Sequence, residues 1–517
     1  PPLNTERPAR APAVIEIGTN NVRMRVSQWT KGSMTTIDRL EYPVGLGHDV
    51  FSNGYISFDS LRELSSVLSK FSAALRSYNI ERPKVISCTA LREAKNRALV
   101  VDQLKVRNGM DVTVLEDSQE KAYIYKEVIE RLGDAKLQSG NTMIAYVGSG
   151  SIGVAVYDGQ KVVYSQNISM GALKLHDALL RLRQEADDFY HIIEEYLDTI
   201  FNRIAISRFQ VKNLILTGSQ LELVAQLCEA KKAGIPYQIN TKKLSSLYQS
   251  IRSVTPEGIA NRFGITEERA ALLYTSLSIY HGLLRFCPQA ENVISPPVDI
   301  SEAMLRYQLA PKAQEDLDTY LRESAIACAE TIASSFACNL DHSAHTGQIA
   351  CLIFDKLKKI HGLDPSKRLL LELAAILHSC GSFVNVRQHN QCTFDLIKGM
   401  DIFGLRQQEV LETAFVAGSV SNDLTSEENP DFAWLPIEER IVISKLAAIF
   451  RLANALDKSH HHKIRDLKLH LEDDQVLFKG KASENTLLER WAFTESAQYF
   501  QEVFGLSPEL AIKFDMI

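Results

Sequence analysis

The sequence contains little glycine and proline for its length. Its 517 residues include 26 Gly and 16 Pro, about 8% together, whereas average proteins have roughly 12%. This scarcity favours long helices and excludes collagen-like or low-complexity chains. No run of about 18 apolar residues occurs, so we expect no membrane-spanning helix and no membrane partner. The length predicts about three or four domains.

The chain also lacks a surplus of positive charge and any paired cysteine motif. It has 57 Lys and Arg against 63 Asp and Glu, which gives a net charge of −6. We therefore expect no specific nucleic-acid partner, and any polyanion must bind in a local basic cleft. None of the 8 cysteines forms a CxxC pair. This usage predicts reduced thiols in the cytoplasm.

A strand, a turn of small residues and a second strand occur twice, which predicts two similar α/β units. The first copy joins the strand Ala13–Gly18 to Val22–Val26, and the second joins Thr142–Val147 to Gly153–Tyr157. Gly, Ser, Thr and Asn in such a turn let a phosphate approach the backbone N–H groups. One such turn is an ordinary hairpin. The pair predicts two turns that face each other across a cleft.

Two further residues follow strands at the start of predicted helices. Arg92 follows the strand Lys84–Thr89, where it either binds phosphate with the helix N-terminus or is a solvated surface arginine. Glu120 lies near the start of a helix that ends at Leu132, where it either stabilises the helix electrostatically or acts as a general base for water. A further strand, Leu214–Gly218, ends in a glycine turn.

From Ser301 onward strand signals largely vanish, which predicts a helical half followed by a small hairpin. The predicted helices are Tyr320–Leu340, His345–Leu357, Lys367–His378 and Ile437–Leu456, and the hairpin strands are Leu467–Leu471 and Gln475–Phe478. The predicted domains are residues 12–136, 137–303, 304–456 and 457–517.

Four segments carry a resemblance to the exopolyphosphatase/guanosine pentaphosphate phosphohydrolase (Ppx/GppA) family. The family loop Asp-Ile-Gly-Ser-Asn-Ser-x-Arg is matched by Glu16-Ile-Gly-Thr-Asn-Asn-Val-Arg23, and Thr-x-Ala-x-Arg-x-Ala-x-Asn almost letter for letter by Cys88–Asn96. The family's Glu-Glu-Ala corresponds to Gln119-Glu120-Lys121, and Gly-Ala-x-Arg-Leu to Gly171–Leu175. These segments occur in the order and at the separations that the family pattern has, and the resemblance covers nearly the whole chain.

The resemblance implies an α/β fold of two actin-like (ribonuclease H-like) lobes, then an all-helical HD-like domain and a small α+β part. It implies a homodimer that acts on polyphosphate or a guanosine pentaphosphate, with Mg²⁺ as a possible cofactor. Glu120 would be the water-activating base and Glu16 a second catalytic carboxylate. The implied phosphate-binding residues are Gly18, Asn20, Arg23, Arg92, Gly148, Gly150, Ser151, Lys174 and Gly218.

The departures from the family pattern fall on the carboxylates. The second family loop, Asp-Ile-Gly-Gly-Gly-Ser-Thr-Glu, here reads Tyr146-Val-Gly-Ser-Gly-Ser-Ile-Gly153, and the Asp of the first loop is Glu16. Mg²⁺ needs hard oxygen ligands, so these losses predict impaired metal-assisted hydrolysis. In the helical half the metal is unknown. The positions that still resemble those of an HD-type metal site are His345, His378 and Asp457. His345 is predicted to begin a helix.

Three functions remain open on this sequence. An active phosphohydrolase would explain Glu120, Arg92 and both turns, but not Tyr146 and Gly153. A degenerate relative that binds polyphosphate or a phosphorylated guanosine nucleotide, with weak or absent hydrolysis, explains what is kept and what is lost. An actin-like kinase or ATPase also needs carboxylates at these turns and gives the helical half no role.

Overall fold

The computed structural model describes residues 12–30, 33–133, 140–182, 189–230, 236–420 and 424–514. The chain divides into two compact units, Pro1–Leu321 and Arg322–Ile517. The predicted boundary between residues 136 and 137 lies outside the described ranges, as do residues 515–517 of the predicted last domain. The first unit continues past the predicted boundary at residue 304. The division into four domains stays a prediction.

The first sheet builds a mixed α/β layer from the N-terminal hairpin. Strand β1 pairs antiparallel with β2 and parallel with β4, and the strand order is β3-β2-β1-β4-β5. Alternating apolar residues such as Ile15, Val22 and Met24 form its buried face. The strands are β1 Ala13–Ile17, β2 Asn21–Thr30, β3 Ser33–Pro43, β4 Lys84–Ser87 and β5 Val112–Val114, and the helices are α1 Leu46–Asn53, α2 Phe58–Ser77, α3 Thr89–Glu93, α4 Arg97–Asn108 and α5 Asp117–Leu132.

The second sheet repeats this arrangement, which confirms the predicted pair of actin-like lobes. Its order is β10-β11-β9-β6-β7-β8, with β6 antiparallel to β7 and parallel to β9. The strands are β6 Thr142–Val147, β7 Ile152–Tyr157, β8 Val162–Ile168, β9 Asn213–Gly218, β10 Tyr237–Asn240 and β11 Asn292–Ser295. The helices are α6 Ala172–Leu182, α7 Phe189–Phe201, α8 Leu221–Leu227, α9 Thr241–Ile251, α10 Pro256–Phe263 and α11 Glu267–Leu283.

Helix α12, Ile300–Leu309, returns from the second sheet to the first. The Asp299 carboxylate caps it by accepting hydrogen bonds from the N–H groups of Ser301 and Glu302. Its buried side chains Met304 and Leu305 pack with residues of β1 and β4. This packing explains why the first unit does not end where the strand signals end.

The second unit is helical with a small sheet, as predicted. Helix α13, Pro311–Ser335, contains the boundary between the units, and it ends earlier than predicted. The next helix begins at Leu340, capped by the Asn339 side chain, so His345 does not begin a helix. The remaining helices are α14 Leu340–Lys356, α15 Lys358–His361, α16 Lys367–Leu377, α17 His389–Lys398, α18 Gln407–Gly418, α19 Pro430–Ala433, α20 Ile437–Ala455 and α21 Leu487–Phe504.

The predicted hairpin is present near the end of this unit. Strands β12, Arg465–Leu471, and β13, Gln475–Ala482, pair antiparallel, and β14, Ser507–Phe514, joins β13 in parallel after α21. In the ranges that the structure describes, no helix has both the length and the apolar character needed to cross a bilayer.

Candidate functional site

A cavity of about 590 Å³ opens in the first unit where both glycine turns meet. Gly18 and Asn20 of the β1–β2 turn line it, together with Gly148 of the β6–β7 turn and Gly218 at the end of β9. The two repeated turns therefore face one cavity, as the repeat predicted.

The first glycine of each turn closes the turn in the same way. The Gly18 N–H donates to the Asn21 carbonyl at 3.0 Å, and the Gly148 N–H donates to the Ser151 carbonyl at 2.9 Å. A β-carbon on Gly18 would lie 2.8 Å from the Asn21 oxygen, and one on Gly148 would lie 3.0 Å from the Ser151 oxygen. Both positions therefore favour glycine for a steric reason.

Gly218 allows β9 and β6 to end side by side at the cavity. Its φ of +117° lies outside the range that other residues readily adopt. A β-carbon there would lie 2.8 Å from the backbone nitrogen and carbon of Val147. The next residue, Ser219, donates its N–H to the Val147 carbonyl at 2.7 Å.

Glu16 lines the cavity, but its carboxylate already has protein partners. Its Oε2 accepts a hydrogen bond from the Ser301 hydroxyl at 2.6 Å, and its Oε1 lies 3.9 Å from the Arg23 guanidinium. Burial, and then the neighbouring charge of Asp299, raise the pKa of Glu16 above its ordinary value. Arg23 also lines the cavity and donates to Glu41 at 3.0 Å.

Arg92 holds Glu120 in position and does not itself line the cavity. Its guanidinium donates to Glu120 Oε2 at 2.9 Å and to Asp117 Oδ1 at 2.8 Å. It also donates to the Leu115 carbonyl at 2.8 Å and the Thr89 hydroxyl at 3.1 Å. The Glu120 side chain, by contrast, does line the cavity. Direct phosphate binding by Arg92 stays a prediction that this geometry does not favour.

Three other predicted phosphate ligands do not line the cavity and contact neighbouring side chains instead. Ser151 is buried, and its hydroxyl donates to Asp117 at 2.8 Å. The Lys174 ammonium donates to Glu93 at 2.8 Å. Gly150 packs tightly against Thr89. Their direct phosphate contacts likewise stay predictions.

Lys121, which no sequence motif singled out, lies beside both altered positions. Its side chain is 1% exposed, and its ammonium lies 2.5 Å from both Asp117 Oδ1 and the Ser151 hydroxyl. It also lies 5.4 Å from the centre of the Tyr146 ring. The Lys121 and Arg92 charges outweigh burial and lower the pKa of Asp117. A fixed cation therefore lies directly beneath the β6–β7 turn.

Lys121 fills the space in which a side chain at position 153 would lie. Gly153 pairs with Tyr146 across β6 and β7. A β-carbon on Gly153 would overlap the Tyr125 hydroxyl and come within 2.5 Å of Lys121 Cγ. The replacements at positions 121 and 153 are therefore sterically linked.

An ion-pair cluster on α12, also missed, closes one side of the cavity. Arg25 is 8% exposed and donates to Asp299 at 2.7 Å and to Glu302 at 3.0 Å. Glu302 also pairs with Arg131 at 2.9 Å. These carboxylates follow the dipeptide Pro296–Pro297 in the chain.

In the second unit, the three positions that resemble an HD-type metal site contact side chains or backbone groups of this chain. Asp457 is fully buried and accepts a hydrogen bond from His342 Nδ1 at 2.7 Å. His378 Nδ1 donates to the Ala375 carbonyl at 2.8 Å, while the His345 ring lies 4.4 Å from that of His462. His342 was not recognised as a candidate residue, because α14 was expected to begin only at His345.

Two repeated lobes around a cavity lined by glycine turns define an actin-like fold. The sequence pattern of the Ppx/GppA phosphatase family matches residues 25–305, and that of its domain III matches residues 322–497. The chain belongs to the Ppx/GppA phosphatase family.

The similar proteins are distant. A guanosine-5'-triphosphate,3'-diphosphate pyrophosphatase of Vibrio atlanticus is 22% identical over 77% of this chain and 78% of its own length. The protein of that name from Photobacterium profundum is 20% identical over 85% and 84%. The crystal structure of an exopolyphosphatase from Cytophaga hutchinsonii has a TM-score of 0.51 and 18% identity, covering 57% of this chain and 97% of that one.

Enzymes of this family generally depend on a divalent metal, but the residues at this cavity do not fit one. Tyr146 and Gly153 supply no carboxylate, Glu16 is engaged by Ser301, and the Lys121 ammonium repels a cation. Within the described residues, no three His, Cys, Asp or Glu side chains form a group that could hold a metal ion.

Proposed function

We propose that this protein binds polyphosphate or a guanosine pentaphosphate in the cavity between its two lobes and hydrolyses it weakly or not at all. The observation that carries the proposal is the Lys121 side chain, which occupies the space beside Gly153 and brings an ammonium beneath the β6–β7 turn. The anion-binding features are kept, while the positions for a metal are altered.

Binding is supported by the lining of the cavity. Small residues of both turns let an anion approach the backbone, and arginines lie around them. Arg25 and Arg131 are engaged by α12 carboxylates, whereas Arg269 is exposed and, among the described residues, has no carboxylate partner. Arg269 is therefore the first proposed ligand of the phosphate oxygens. Arg23 is the second, because it lines the cavity and belongs to the first turn segment, although it also pairs with Glu41.

Weak hydrolysis follows from the electrostatics of phosphoryl transfer. Glu120 can orient a water molecule, since Arg92 holds its carboxylate at the cavity. The transition state also needs charge stabilisation on the transferred group. Each lost contact of this kind costs roughly two to three orders of magnitude in rate.

The test measures binding and turnover on the same samples. Calorimetry with tripolyphosphate in EDTA, and with guanosine pentaphosphate, should show binding that weakens as salt rises. Arg23→Ala and Arg269→Ala should each weaken it by about tenfold, because each removes a charge-assisted hydrogen bond. Arg62→Ala is the matched control, since Arg62 is 72% exposed on α2 and does not line the cavity.

Absence of binding by the unaltered protein would contradict the proposal. Equal weakening by the Arg62 control would show that only net charge matters. Phosphate release with Mg²⁺ at about 1 per second or faster would favour the alternative, an active phosphohydrolase that uses Glu120 as its base. Glu120→Gln would then abolish that release.

The family resemblance also supports a homodimer, which light scattering at defined concentration tests directly. All 8 cysteines carry free thiols, which is typical of proteins in a reducing compartment. We propose that the protein is located in the cytoplasm.

A further inference from the structure

Two cysteine thiols that are 42 residues apart in the sequence touch in the second unit. Cys338 lies in the turn between α13 and α14, and Cys380 begins the short 3-10 turn Cys380–Phe383 that follows α16. Their sulfur atoms are 3.4 Å apart. In the rest of the described chain, no other pair of cysteine sulfurs is in hydrogen-bond contact.

The two thiols differ in exposure and in acidity. Cys380 is fully buried, whereas Cys338 is partly exposed at the surface of the turn. The hydrogen bond from Cys380, assisted by one from the Ser379 side chain, outweighs burial and lowers the pKa of Cys338 to about 7. An ordinary thiol has a pKa of about 8.5. Cys338 is thus a partly exposed thiol of lowered pKa, with the sulfur of a second thiol 3.4 Å away.

We propose that Cys338 and Cys380 form a modification site that a hydroperoxide oxidises to an intramolecular disulfide. The Cys338 thiolate attacks the peroxide and becomes a sulfenic acid, releasing an alcohol, or water if the oxidant is hydrogen peroxide. The Cys380 sulfur then attacks the Cys338 sulfur. Hydroxide leaves and takes the Cys380 proton as water. Two thiols and one peroxide therefore give one disulfide.

The fold permits this bond with a small movement. The sulfur atoms must approach from 3.4 Å to the disulfide distance of about 2.05 Å. Both cysteines lie in turns, so neither helix has to unwind. The turn at Cys338 is held by its N–H, which donates to the Ala333 carbonyl at 3.1 Å.

The experiment uses the full chain in its folded state. The protein is treated with stoichiometric hydrogen peroxide, its free thiols are alkylated, and a non-reducing digest is mapped by mass spectrometry. We expect two of the 8 thiols to be lost together, one peptide pair linking Cys338 to Cys380, and full recovery with dithiothreitol. Cys338→Ser should abolish the link.

Cys392→Ser is the matched control, because Cys392 is a partly exposed thiol of the same unit. Its substitution should leave the link intact. The proposal is overturned if the unaltered protein keeps both thiols under peroxide that modifies Cys392, or if Cys338 is oxidised without linkage to Cys380. Mapping of the unaltered protein decides this even if a variant fails to fold.

Discussion

Restoring carboxylates at the cavity should require three substitutions rather than two. The resemblance gives Asp at the position of Tyr146, Glu at that of Gly153 and Ala at that of Lys121. A β-carbon on Gly153 would lie 2.5 Å from Lys121 Cγ and 3.0 Å from its Cε. The double variant Tyr146→Asp with Gly153→Glu therefore forces two side chains into one space. Lys121→Ala removes both contacts with Lys121 and leaves only the contact with the end of the Tyr125 side chain.

The magnitudes follow from packing and from charge stabilisation. Overpacking of this kind costs about 1–3 kcal/mol of folding stability, so the double variant should unfold at lower urea concentration than the unaltered protein. Its Lys121 ammonium would also pair with the new carboxylate and compete with a metal ion. Each restored transition-state contact is worth about 3–4 kcal/mol, or two to three orders of magnitude in rate. The triple variant should thus release phosphate at least about 100-fold faster than the unaltered protein.

The assay is Mg²⁺-dependent phosphate release from long-chain polyphosphate, with urea unfolding of each variant in parallel. Lys121→Ala alone is the matched control, because it opens the space without supplying a carboxylate and should stay inactive. Adding Glu120→Gln to the triple variant should remove the gained activity, since the water would lose its base.

Two results would refute this reasoning. A double variant as stable as the unaltered protein and as active as the triple variant would show that Lys121 does not occupy the space beside Gly153. A stable triple variant that binds polyphosphate but gains no activity would show that the missing carboxylates are not what limits hydrolysis.

Two further predictions concern stability. Arg25→Ala should lower the free energy of unfolding by about 3 kcal/mol, because it leaves Asp299 without its buried partner and Glu302 with Arg131 alone. Urea denaturation measures this loss, and Arg25→Lys should recover part of it. Burial lowers the pKa of His378, which faces His342 and Phe450, to about 4. The folded protein therefore binds a proton at His378 less readily than the unfolded chain does. The stability that this difference gives is complete above about pH 6.5, the ordinary histidine pKa, and is lost as the pH falls toward 4. At pH 5 this group should cost about 2 kcal/mol, and His378→Gln should reduce the difference between urea midpoints at pH 7 and pH 5.

The parts of the fold that the sequence predicts are those with local signals. The β1–β2 and β6–β7 hairpins combine apolar alternation with turns of small residues, and both were predicted and are confirmed. Helix α20 was predicted within one residue of its observed bounds, because its apolar pattern continues to its end. The start of α14 was predicted wrongly although Asn339 is a good N-cap. The apolar pattern of the preceding helix continues to Leu340, and the predicted helix was therefore extended past the true N-cap.

The features that escaped prediction depend on contacts between distant segments. Lys121 follows Glu120 in a polar stretch, and nothing in that stretch tells which face of α5 is buried. Its partner Ser151 lies 30 residues away. Arg25 meets Asp299 across 274 residues, and only the return of α12 to the first sheet brings them together.

The substitutions around the β6–β7 turn share a direction that supports the proposed separation of binding from hydrolysis. Relative to the family pattern, Tyr146 and Gly153 each remove a negative charge and Lys121 adds a positive one. The Lys121 ammonium beneath the turn is paired with Asp117, but compared with the alanine of the family pattern it makes the potential there more positive at every stage of a reaction. Such uniform stabilisation tightens binding without lowering the barrier from the bound state. A metal ion that bridges the reacting oxygens acts where charge develops in the transition state. Exchange of the metal-binding carboxylates for Lys121 therefore favours a site that holds a phosphate chain over one that cleaves it.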